Sequence, residues 1–141
     1  MPESPPRIVL DTNVLYAGLY SASGCSHQVL RAVLDGRVQL VLSTPLLFEY
    51  EDVLKRNQAM LDLPGNDIDI VLDQLCAMAD FQAIYFLWRP CLPDAKDDLV
   101  LELAVAAQAS RIVTFNAKDF RPASLFGIDV ISPKTLLEEL S

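Results

Sequence analysis

Ile8-Val9-Leu10-Asp11-Thr12-Asn13 is the stretch on which the fold turns. Three aliphatic residues in a row read as a strand buried on both faces, and the abrupt change to Asp-Thr-Asn reads as a polar turn at its carboxyl end. The same form recurs along the chain. Val38-Gln39-Leu40-Val41-Leu42 runs into Ser43, Arg111-Ile112-Val113-Thr114-Phe115 stops at Asn116, and Ile128-Asp129-Val130-Ile131 stops at Ser132-Pro133. Helical patterns lie between these runs. One covers residues 28–34 and is closed by Gly36; another covers 46–56, with Thr44 as N-cap and Pro45 at the first helical position. Residues 67–79 carry an apolar stripe at Ile68, Val71, Leu72, Leu75 and Ala79, and 99–109 is apolar nearly all round, as a central buried helix would be. Leu63-Pro64-Gly65-Asn66 reads as a helix–helix turn, and 81–92 as a short edge strand. Strands alternating with helices predict an α/β fold with a central parallel sheet of four to five short strands flanked by helices. In such sheets ligands bind outside the carboxyl ends of the strands.

The chain has 141 residues, 52% of them hydrophobic, which suits one domain spanning 1–141 that can bury a core without disulfides or a structural metal. Eleven Lys and Arg against nineteen Asp and Glu give a net charge of −8, which argues against a broad basic face for nucleic acid. Cys25, Cys76 and Cys91 are widely spaced and lack a CxxC pair, so they read as reduced thiols rather than as disulfides or a zinc knuckle. No run reaches the ~18 uncharged apolar residues of a membrane span, and residues 1–7 lack a basic segment leading into an apolar one. The expectation is a cytoplasmic protein with no membrane association.

Acidic residues gather at the predicted carboxyl edge of the sheet. Asp11 ends a buried strand, where a carboxylate is costly unless it is paired, hydrogen-bonded or on a metal; an Asp turn or helix cap is the plainer alternative. Glu49 and Glu51 flank the apolar stripe of their helix equally well, and periodicity does not choose between them, while Asp52 points away as a solvated charge. Asp94, Asp97 and Asp98 precede the buried helix, where one cap needs only one Asp. Asp98 and Glu102 are four apart and can face one site from one side of that helix. Asn116, Lys118 and Asp119 follow the third strand run. His27 stands two residues from Cys25, which is weak support for a metal ligand, and it is left out of the site. Like charges brought together repel unless a cation neutralises them, and oxygen ligands suit Mg2+ or Mn2+ rather than zinc. One or two such ions can acidify a water and neutralise the phosphoryl oxygens of a phosphodiester.

Taken with Ser43-Thr44-Pro45-Leu46-Leu47-Phe48-Glu49, Asp97-Asp98-Leu99-Val100-Leu101-Glu102-Leu103-Ala104 and Ile112-Val113-Thr114-Phe115-Asn116 with Asp119-Phe120, the opening Ile8-to-Leu15 segment resembles the PIN domain, and most of all its toxin branch. The resemblance runs from about residue 7 to 137. It implies a three-layer PIN-like fold and a metal-dependent endoribonuclease that hydrolyses RNA by metal-activated water. Carried over by position, the catalytic residues are Asp11, Glu49, Asp98 and Asn116, which decides for Glu49 over Glu51. The metal ligands are Asp11, Glu49 and Asp98, with Asp97 and Asp119 as additional or alternative ligands and Thr12 and Asn13 in support. An Asp is frequent where this chain has Asn116, so either Asn116 or Asp119 completes the site. The resemblance also implies a small antitoxin partner and a homodimer. RNA would meet a local strip drawn from Lys55, Arg56, Lys96, Lys118 and Arg121, with Lys118 and Arg121 as the named substrate contacts. The competing class is a PIN-like module that keeps the acidic pocket but serves in complex assembly. A haloacid-dehalogenase-type site wants a second Asp where Asn13 stands, and a receiver wants an Asp where the second strand runs into Ser43-Thr44.

Overall fold

Every strand in the sheet runs parallel to its neighbours, and this follows from the helical crossover between each strand and the next. The computed structural model describes residues 4–84 and 95–141. In chain order the elements are β1 (Arg7–Leu10), α1 (Thr12–Tyr20), α2 (Cys25–Leu34), β2 (Gln39–Leu42), α3 (Thr44–Arg56), α4 (Gln58–Leu61), α5 (Gly65–Met78) and β3 (Asp80–Phe81). There follow α6 (Ala95–Ala106), β4 (Arg111–Val113), a 3-10 segment (Ala117–Phe126), β5 (Asp129–Ile131) and α7 (Pro133–Leu140). The strand order is β3-β2-β1-β4-β5, all parallel, so the α/β expectation holds. The edge strand is β3, but it covers only Asp80–Phe81 and meets the anticipated 81–92 at Phe81 alone: residues 82–84 are not strand, and 85–92 lie outside the described residues.

The chain builds outward from β1 to β2 and β3, then returns to place β4 on the other side of β1. The order therefore reverses between β1 and β4, and the crevice outside their carboxyl ends is the switch point where such sheets bind ligands. The strand cores are shielded on both faces: Ile8, Val9, Leu10, Leu40, Val41, Leu42, Ile112 and Val113 are wholly buried. α6 packs against β1, β2 and β4, and Val100, Leu101, Leu103 and Ala104 are buried along it, which explains why it is apolar nearly all round.

Several local details differ from the sequence reading: α1, α4 and α7 have no counterpart in it, Gly65 and Asn66 open α5 instead of forming a turn, and the central helix spans Ala95–Ala106 and not 99–109. Ser43, not Thr44, caps α3: it stays extended and its Oγ accepts from the Leu46 N–H at 3.3 Å, which puts Thr44 inside the helix. Asp11-Thr12-Asn13 is not a turn, because α1 begins at Thr12, directly after the strand. α1 and α2 lie unusually close at Gly18, where a Cβ would sit 2.6 Å from Leu30 Cδ1 and 3.0 Å from the Ser26 carbonyl oxygen. The His27 ring also hydrogen-bonds the Gly18 carbonyl through Nδ1 at 3.1 Å, a clamp between the two helices.

Candidate active site at the sheet switch point

Parallel pairing brings the first site residues together. β1 and β4 are in register Ile8↔Arg111, Val9↔Ile112 and Leu10↔Val113, so the residues one step beyond, Asp11 and Thr114, emerge side by side. The Asp11 N–H donates to the Val113 carbonyl at 3.0 Å, and Thr114 Oγ1 donates to Asp11 Oδ2 at 2.6 Å. Thr114 then accepts from the Asn116 N–H at 3.0 Å, so one hydroxyl holds both the carboxylate and the start of the loop carrying Asn116. Asp11 occupies the N-cap position of α1, yet its side chain makes no capping hydrogen bond. The helix-cap alternative is thereby set aside in favour of a carboxylate turned toward β4.

α3 brings the second acid. Tyr50 is fully buried and its hydroxyl donates to the Leu10 carbonyl at 2.5 Å, which ties α3 to the end of β1 and sets the adjacent Glu49 beside Asp11. Burial, and then the negative charge of Asp11, pushes the Tyr50 hydroxyl well above its ordinary pKa, so it stays protonated as a donor. Glu49 and Glu51 part ways here. Glu49 faces the cleft with Asp11, whereas Glu51 lies on another face and pairs with Lys55, which also bridges to Asp69 at 2.8 Å. That Asp69 contact is the chief reason the Lys55 ammonium is held above its usual pKa.

These residues line a cleft of about 390 Å³ at the switch point, where Asp11, Thr12 and Asn13 meet Glu49 and Asn57 from α3 and its end, Asp97 from α6, and Asn116. Of the two neighbouring acids in the first turn of α6, Asp97 lines the cleft and Asp98 is buried at 7% exposure. Glu102 is equally buried but borders a different pocket, against Ser43, Thr44 and Pro45, so Asp98 and Glu102 do not share this cleft. Asp119 is half-buried three residues past Asn116, its N–H donating to the Asn116 carbonyl at 2.9 Å, and it does not line the cleft. Asp94 lies outside the described residues.

The donor set suits a hard divalent ion in kind. All the polar donors lining the cleft are oxygen-bearing acids, amides, a hydroxyl and a phenol, with no Cys or His among them. Asn13 Oδ1 is buried there and accepts no hydrogen bond among the described residues, which is the condition of a ligand atom awaiting a cation or a water. No group of three His, Cys, Asp or Glu among the described residues is drawn tightly enough to cage an ion by itself. A small cation that keeps several of its own waters matches a loose oxygen set of this kind.

Sequence reasoning passed over Thr114, Tyr50, Tyr16 and Asn57. In sequence Thr114 is one residue of a strand run, and Tyr50 is one bulky residue of a helical pattern. A hydroxyl one residue before the end of a strand run is the only signal that pointed to Thr114. Of the cations anticipated for an RNA-facing strip, the Lys96 side chain lies outside the described residues. Lys55 and Arg56 are held by Glu51, Asp69 and Asp52, whereas Lys118 and Arg121 are exposed and form no ion pair among the described residues.

A parallel sheet with acids and amides gathered at its switch point defines an α/β protein whose crevice lies where such sheets bind ligands. Residues 7–118 match the PIN domain, and the chain belongs to that family. PIN domains are generally nucleases, and the family generally uses divalent metal ions. Among solved structures, the chain is similar to one in the crystal structure of VapBC2 from Rickettsia felis bound to a DNA fragment from their promoter. That match has a TM-score of 0.60 and 14% identity, and covers 89% of this chain and 98% of the other. No curated protein matches by sequence. No helix among the described residues is long and apolar enough to cross a membrane.

Proposed function

We propose that the chain is a Mg2+- or Mn2+-dependent endoribonuclease, the toxin of a toxin–antitoxin pair. The observation that carries this reading is the convergence of Asp11, Glu49, Asp97 and the amides of Asn13 and Asn116 in one cleft, from four separate elements. Asp11, Glu49 and Asp97, with Asn13 and Asn116 completing the set, would hold the ion; Asp98, one residue on, is the alternative carboxylate from α6. When bound, one or two such ions supply an acidified water and neutralise charge on the phosphoryl oxygens. The chain's own residues set the geometry. Thr114 fixes the rotamer of Asp11, Tyr50 holds Glu49 at the end of β1, and the Asn116 side chain offers an N–H donor to a phosphate oxygen where a carboxylate would repel it. Asn57 and Thr12 add neutral donors to the rim.

A toxin of this kind works in the cytoplasm as one PIN-like unit, core 7–137, in a dimer. Its antitoxin would present a basic segment, which a chain of net charge −8 attracts, and the likeness to a VapBC toxin–antitoxin complex supports such a partner. The test is cleavage of mixed fluorescent single-stranded and hairpin RNAs with Mn2+, Mg2+ or EDTA, with Asp11→Asn purified in parallel. Cleavage by the wild type alone, abolished by EDTA, is the expected result; equal cleavage by Asp11→Asn would overturn it. Asn116, standing where an acid is frequent, favours the second reading of a non-catalytic assembly module, whose mark is metal binding without turnover.

A further inference from the structure

Tyr16, at the wall of the acidic cleft, also lines a second groove of about 290 Å³ whose walls are almost wholly apolar. Tyr16 lines both. Tyr16 and Tyr20, one turn apart on α1, stack on each other with ring centroids 6.0 Å apart and planes 17° from parallel, and Phe115 closes the groove from the β4 side. Tyr20 is 58% and Phe115 52% exposed, so large rings face solvent beside the acidic cleft. Gly24 and Cys25 form the end, held close to α1 by the Gly18 contact. Phe115 is the residue before Asn116, which lines the acidic cleft, so the two sites share a loop. That loop continues to the exposed Lys118 and Arg121, neither in an ion pair among the described residues.

We propose that the Tyr16–Tyr20–Phe115 groove is a base-stacking subsite. It holds one unpaired nucleobase of a single-stranded RNA whose neighbouring phosphate lies at the acidic cleft, while Lys118 and Arg121 meet the backbone leading away. The inference rests on the ribonuclease reading and names the substrate form it takes. Three facts select this occupant over a protein surface. The groove admits a planar ring or two, whereas a stable protein interface takes roughly 800 Å² from each partner. It shares Tyr16 with the acidic cleft, and Phe115 in its wall is the chain neighbour of Asn116 in the cleft. The exposed Lys118 and Arg121 follow Phe115 by three and six residues, which suits a phosphate backbone leading away from a stacked base. A duplex keeps its bases paired and stacked on one another, so only a single strand or loop can offer one.

The test uses the full chain in EDTA, so that neither metal nor turnover enters. A short single-stranded RNA carries a fluorescent adenine analogue whose emission falls on stacking; binding is read by anisotropy and stacking by quenching. Tyr20→Ala and Phe115→Ala are each expected to weaken binding by roughly five- to a hundredfold and to abolish quenching, while Tyr20→Phe stays within about twofold of wild type. The same sequence as a duplex should bind without quenching. Both rings are exposed, and thermal melts check that the variants are folded. Wild-type failure to bind or quench, or alanine variants that bind as wild type, overturns the subsite. So does unchanged RNA binding by Phe115→Ala together with loss of a dimer in sedimentation equilibrium, which would make the groove a protein interface. Quenched binding with no cleavage under any ion would overturn the ribonuclease reading and leave the subsite standing; cleavage indifferent to both rings would do the reverse.

Discussion

Replacing Thr114 by Val keeps the shape of a buried side chain and removes a single hydroxyl, and that hydroxyl serves two partners. Thr114 is 1% exposed and Asp11 8%, so neither finds a ready substitute in water. Losing the 2.6 Å bond to the Asp11 carboxylate forfeits a charge-assisted hydrogen bond of about 1.5–3 kcal/mol, and losing the Asn116 N–H bond forfeits about 0.5–1.5 kcal/mol more. Allowing for the easier burial of a methyl than of a hydroxyl, Thr114→Val should destabilise the fold by about 2–4 kcal/mol. Urea denaturation at constant slope measures this directly. The double-mutant cycle with Asp11→Asn isolates the shared bond: with a neutral acceptor the hydrogen bond falls to the ordinary range, so the coupling should be about 1 kcal/mol or more. Because Asp11 would also lose its fixed rotamer, Mn2+ affinity by calorimetry should fall roughly ten- to a hundredfold, and Thr114→Ser should recover most of it. A Thr114→Val protein within ~0.5 kcal/mol of wild type, binding Mn2+ equally well, would refute the claim that this residue positions Asp11.

Glu49→Gln and Glu51→Gln test which face of α3 carries the function. Glu49→Gln should weaken Mn2+ binding by roughly tenfold or more, while Glu51→Gln, which breaks only an exposed pair with Lys55, should alter binding and stability little. Tyr50→Phe removes the hydroxyl donated to the Leu10 carbonyl and should cost about 0.5–1.5 kcal/mol in a thermal or urea melt, with a larger proportional loss of cleavage because Glu49 is no longer held at the end of β1.

Much of the architecture was legible from local chemistry. The run Ile8-Val9-Leu10 could satisfy its apolar side chains only by burial on both faces, and its repetition between amphipathic stretches called for a parallel sheet. Asp11, Glu49, Asp98 and Asn116 could be placed near the carboxyl edge because each follows a strand or lies in the first turns of a helix, which is a statement about sequence neighbours. The cap of α3 slipped by one residue because Ser43 and Thr44 are both good caps, and only the observed backbone shows which one stays extended.

Side-chain direction and strand register were decided by the tertiary structure. Nothing in a one-dimensional pattern places Thr114 beside Asp11, since that depends on Leu10 pairing with Val113 across 103 residues of chain. Periodicity leaves Glu49 and Glu51 tied and the family resemblance points to Glu49; the physical reason lies in the tertiary structure, where Tyr50 anchors the helix to β1 while Lys55 pairs with Glu51 and Asp69 on another face. Asp97 and Asp98 are adjacent on a helix, about 100° apart around its axis, so the packing of α6 decides which of them meets the cleft. Periodicity determines which residues must be hidden from water, because burial is a property of each segment's own pattern. Convergence of polar groups depends on how separate segments dock, and that is settled only when the whole core closes around β1.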